Sequence, residues 1–75
     1  MQIAEAAKAV METTGIEMTI DEIYDKIIER GLFKFEAQNP KSVLSRTIRM
    51  KSNASPKPGK ILFKMTKPGT YMLAD

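Results

Sequence analysis

Apolar and polar positions alternate along this chain in two different periods. From Gln2 to Thr14, Ile3, Ala6, Ala7, Val10 and Met11 recur at helical spacing with Glu5, Lys8 and Glu12 on the other side, which predicts an amphipathic helix stopped at Gly15. Ile16, Glu17 and Met18 alternate briefly and predict a short edge strand. Thr19 and Glu22 then form a Thr-x-x-Glu capping box ahead of Ile20, Ile23, Tyr24, Ile27 and Ile28, a second helix ending at Gly31. Leu32, Phe33 and Phe35 form an apolar connector whose expected role is to fill the gap between helices.

Asn39-Pro40 predicts a third helix start, with the Asn side chain capping free backbone donors and Pro at the first position, where no N–H is needed. This helix is expected to run to about Lys51, with Val43, Leu44, Thr47 and Ile48 toward the core. Ser42, Ser45, Arg46, Arg49 and Ser52 fall opposite, with Lys41 and Met50 at the margins. Residues 52–60 hold two prolines and a glycine and read as a mobile loop. Ile61, Phe63 and Met65 then alternate with Leu62, Lys64 and Thr66, and Lys67-Pro68-Gly69-Thr70 supplies a turn before Tyr71 to Ala74 return as the second strand of a hairpin.

Helix, short strand, helix, helix and hairpin is the order of a winged helix-turn-helix. The expected fold is therefore α+β, mainly α, in one domain over residues 1–75: three helices, a short strand and a C-terminal β-hairpin wing. At 75 residues the chain has room for one core and no cleft between lobes, so any function sits on a surface.

Charge sharpens that expectation. Residues 1–36 carry four positive and eight negative side chains, whereas residues 37–75 carry eight positive and one negative. Between Ala37 and Ala74 the cations Lys41, Arg46, Arg49, Lys51, Lys57, Lys60, Lys64 and Lys67 occur with no acid among them, a pattern suited to a polyanion. Cysteine and histidine are absent, which excludes disulfides, thiol or imidazole catalysis and nitrogen or sulfur metal ligands. No Gly-rich phosphate loop is present either, and neither an enzyme activity, a cofactor nor a metal is expected. No apolar run approaches the ~20 residues of a membrane span, and an intracellular location is expected.

The expected interface is duplex DNA, with Lys41, Ser42, Ser45, Arg46 and Arg49 of the third helix in the major groove and Lys57, Lys60 and Lys67 along the phosphate backbone. A second reading is a protein-interaction winged helix that docks a basic partner through Glu5, Glu12, Asp25 and Glu29. Tyr24 and Tyr71 read as core aromatics, and the six methionines as packing residues. The isolated domain is expected to be monomeric.

Ala6-Ala7, the run from Thr19 through Leu32, the segment Asn39-Pro40-Lys41-Ser42-Val43-Leu44, and Phe63-Lys64 with Gly69-Thr70-Tyr71 and Leu73 together resemble the HARE-HTH domain over nearly the whole chain. That resemblance implies a winged helix-turn-helix that binds DNA in chromatin, restriction or RNA-polymerase delta-subunit contexts, usually as one domain of a longer protein. Lys41 and Ser42 fall in the matched run; Arg46 and Arg49 come from the helical periodicity alone. Where relatives often have Thr-Pro before the third helix, this chain has Asn39-Pro40, a change expected to keep the cap.

Overall fold

The computed structural model describes residues 2–53 and 61–74. The elements follow the order α1 (Ile3–Thr14), β1 (Met18–Thr19), α2 (Ile20–Arg30), α3 (Pro40–Met50), β2 (Phe63–Lys67) and β3 (Thr70–Leu73). Three helices pack on one another beside a three-stranded antiparallel sheet of order β1-β3-β2, an α+β winged-helix architecture within 28 × 25 × 21 Å.

Local chemistry accounts for most boundaries. Gly15 closes α1 at φ 67°, and its N–H donates to the Met11 carbonyl, a left-handed position that a Cβ would strain. At the start of α2 the capping box is complete: the Glu22 N–H donates to Thr19 Oγ1 at 3.2 Å, and the Thr19 N–H donates to Glu22 Oε1 at 2.8 Å. The same N-cap threonine pairs with Thr70 in the sheet, so β1 and α2 are locked together. Gly69, at φ 79°, supplies the left-handed residue of the wing turn after Pro68.

The core joins Ala6, Ala7, Val10 and Met11 of α1 to Ile23 and Ile27 of α2, Leu44 and Ile48 of α3, and Met18, Phe63 and Tyr71 of the sheet. Met18 and Met65 flank Tyr71 from the two neighbouring strands, which places all three side chains on one face of the sheet. The connector does fill the gap beside α2: Phe35 packs in a tilted arrangement against Tyr24 at 5.2 Å and meets Phe33 edge-to-face at 4.9 Å.

Several sequence expectations need correction. The first helix begins at Ile3, with Gln2 as its cap. The short strand is Met18–Thr19, leaving Ile16 65% exposed, and β2 begins at Phe63 rather than Ile61. Ile28 is 47% exposed because α2 is covered along Ile23 and Ile27, and Ile28 falls at the edge of that stripe. Val43 is 37% exposed and Met50 59% exposed, so neither is a core residue; the buried stripe of α3 is narrowed to Leu44 and Ile48. Thr47 is half-buried.

Asn39 begins α3 without a side-chain cap: its backbone carbonyl accepts from the N–H groups of Ser42 and Val43. Pro40 does occupy the first turn. Ser52, expected on the exposed face, is fully buried and donates from Oγ to the Arg49 carbonyl at 2.7 Å. The chain turns inward here because Ser52 bridges to Phe63 while the Lys51 carbonyl accepts from Leu62 and Phe63 N–H groups. Asn53 Oδ1 accepts from the Met65 N–H at 3.1 Å. The wing is thus sutured to the end of α3. Beyond Ser52 and Asn53, the loop expected over 52–60 lies outside the described residues.

Candidate nucleic-acid interface

α3 lies with Leu44 and Ile48 against the core, so its solvent side is centred on Arg46, which falls opposite them on a 3.6-residue turn. Lys41, Ser42, Ser45, Arg46 and Arg49, all five of the third-helix residues singled out from the sequence, line one open hollow of about 410 Å³. Lys41, Ser42, Arg46 and Arg49 are exposed, and Ser45 is half-buried at the hollow's inner edge. The hollow offers two guanidinium groups one turn apart with hydroxyls between them, the donor set that contacts phosphate oxygens and guanine edges.

Two of the predicted cations already have partners. Lys41 Nζ lies 3.1 Å from Asp21 Oδ1 of α2 and 5.5 Å from the centroid of the Tyr24 ring. The Asp21 hydrogen bond and charge, helped by Asp25, raise the Lys41 pKa above its ordinary 10.5. Its charge is therefore complete throughout the neutral range and is lost only as pH climbs through that raised value. Both partners are largely solvent-exposed, so the pair orients Lys41 more than it stabilises the fold. A second hollow, of about 290 Å³, adjoins the same lysine and is lined by Tyr24, Asn39, Pro40, Lys41 and Ser42.

Lys67, at the wing tip, lies 3.9 Å from Glu17 Oε1, a long exposed contact that contributes little to stability. Lys57 and Lys60 lie outside the described residues. The chain leaves at Asn53 and returns at Ile61 beside the C-terminal end of α3, since Leu62 is bonded to Lys51. Lys64, assigned to the wing from sequence but not to the interface, is exposed in β2 across from Met72; its alternation with buried Phe63 is the signal that marks it.

Burial raises the Tyr71 phenol above its usual 10.0, and the Arg49 charge partly offsets that rise. On the acidic side, Glu5, Glu12, Asp25 and Glu29 are all exposed, with Glu29 paired to Lys26 at 3.5 Å. Among the described residues no group of three or more carboxylates is placed to share a metal ion, and no helix is long and apolar enough to cross a membrane.

The HARE-HTH family model, whose description names the helix-turn-helix domain of ASXL and restriction endonuclease proteins, matches residues 1–75. Comparisons with curated proteins and with solved structures returned no match.

Proposed function

The chain belongs to the HARE-HTH family of helix-turn-helix domains, which is of DNA-binding type, and from that premise we propose that it binds duplex DNA with α3 in the major groove and the wing on the phosphate backbone. The observation that carries this reading is the convergence of Lys41, Ser42, Ser45, Arg46 and Arg49 on one open cationic hollow. Arg46 and Arg49 take the base-edge role, since guanidinium pairs bidentately with guanine O6 and N7. Ser42 and Ser45 supply shorter donors to bases or phosphates, and Lys41, Lys57, Lys60 and Lys67 neutralise the backbone. Such a module belongs in a DNA-acting protein of the restriction or chromatin type, where other parts of the machinery act on the site it holds. The domain itself has no catalytic role in this reading.

The test is fluorescence anisotropy of a labelled duplex of about 20 base pairs at roughly 50 and 200 mM salt. Arg46→Ala combined with Arg49→Ala should weaken binding by roughly 30-fold or more, from the ~1–3 kcal/mol typical of each arginine–base contact. Both side chains are exposed, so the melting temperature should change little. Unaltered affinity in the double variant would remove α3 from the interface. No binding at low salt would overturn the DNA reading and turn attention to the exposed acids of α1 and α2.

A further inference from the structure

The solvent side of α3 has two unlike flanks. One carries Ser42, Ser45 and Arg49; the other carries Val43, Thr47 and Met50, spaced at i, i+4 and i+7. Val43 is 37% and Met50 59% exposed. Thr47 has its hydroxyl engaged, donating to the Val43 carbonyl at 2.9 Å, so the group it has left to offer is its methyl. Arg46 stands between the flanks, three residues after Val43 and four before Met50. An isolated apolar residue on a surface is ordinary. Three in register on a helix already lined on its other flank by arginine and serine form a second chemical surface, and the core cannot cover it because α3 meets the core through Leu44 and Ile48.

Resting on the DNA reading above, we infer that Val43, Thr47 and Met50 form an apolar subsite for the C5 methyl group of thymine beside a guanine held by Arg46. The methyl is the one apolar group that the four ordinary base pairs present in the major groove, and it is contacted there by small aliphatic side chains. A turn of helix advances about 5.4 Å and a base pair about 3.4 Å. Residues one turn from Arg46 therefore reach bases one to two pairs away from its guanine. The subsite makes α3 a reader of neighbouring T and G positions, where arginines and lysines alone would bind DNA with little regard to thymine.

The experiment compares two duplexes of one sequence rich in TG steps, identical except that every thymine in the second is replaced by deoxyuridine, which lacks only the methyl. Binding is measured by anisotropy at low salt with the 75-residue chain. Burial of one methyl is expected to make the thymine duplex bind roughly three- to fivefold more tightly. Val43→Asn with Met50→Gln, which remove the methyl groups at two exposed positions with little change in side-chain size, should bring that ratio toward one while salt-dependent binding persists. Equal affinity of the natural chain for both duplexes would overturn the thymine subsite and leave the DNA reading standing. A ratio that survives the double variant would also overturn it, because the discrimination would then come from DNA shape. Absence of salt-dependent binding to either duplex would instead bring down the DNA reading itself.

Discussion

Asp21 of α2 forms an ion pair with α3, holding Lys41 at 3.1 Å. A phosphate approaching Lys41 must displace this carboxylate and tolerate its charge nearby. Exposed pairs of this kind contribute ~1 kcal/mol or less to stability, so Asp21→Asn should leave the melting temperature almost unchanged. The same change frees Lys41 and removes a like charge to DNA. Affinity should rise about two- to fivefold at low salt, and the dependence of log K on log salt should steepen by up to ~0.9, the increment for one added phosphate contact. Glu29→Gln, which removes an acid paired with Lys26 rather than with an interface residue, is the control and should change affinity less. If Asp21→Asn weakens binding, Asp21 is pre-orienting Lys41 rather than competing for it. Tyr24 beneath the same ammonium at 5.5 Å limits the directions in which a freed Lys41 swings.

At the scale of elements, α2 shows how completely local signals specify a helix when they agree. Thr19 and Glu22 form the box, Ile23 and Ile27 meet the core, Arg30 lies in the last turn and Gly31 ends it in the left-handed region. Thr19→Ala removes the acceptor for the Glu22 N–H and should cost about 1 kcal/mol, a fall of roughly 4–8 °C in the melting temperature of a domain this small. Thermal melts followed by circular dichroism measure this directly. α3 was less legible. Its start and its polar flank follow from Pro40 and the spacing of Arg46 and Arg49, but a helical wheel cannot tell how wide a stripe the core will cover. The structure covers only Leu44 and Ile48, which leaves Val43 and Met50 outside. Ser52 was misplaced for a related reason: extending the wheel past Met50 assumes helix, whereas the chain turns there to bridge with Phe63. That bridge joins residues eleven positions apart, and no local pattern announces it. Asn39 likewise has the right residue type for a cap, yet its side chain makes no cap bond and its carbonyl accepts only the first bonds of the helix itself.

Across the whole molecule the segregation of charge becomes a directional field, with the exposed acids of α1 and α2 carrying one sign and the α3–wing surface the other. That surface presents Lys41, Arg46, Arg49, Lys64 and Lys67 among the described residues. With Arg46 and Arg49 on base edges, Lys41, Lys64 and Lys67 are left for the backbone, and since Lys41 and Lys67 each begin from an internal ion pair, one to three phosphates is the number they neutralise. The slope of log K against log salt should then lie between about −0.9 and −2.7, and raising salt from roughly 50 to 200 mM should lower affinity by roughly 3- to 40-fold. Lys57 and Lys60, if they join the backbone as proposed, extend the slope toward about −4.5. The variant Lys57→Ala with Lys60→Ala separates these cases: a slope shallower by up to ~2 places both lysines on phosphates, and an unchanged slope confines the contact to α3 and the wing. Arg46→Ala with Arg49→Ala gives a different signature, because arginines on base edges change which sequences are preferred as well as how tightly they bind. Backbone lysines weaken every duplex alike. Comparing the two double variants on one panel of duplexes at two salt concentrations therefore assigns each cation to a phosphate or to a base.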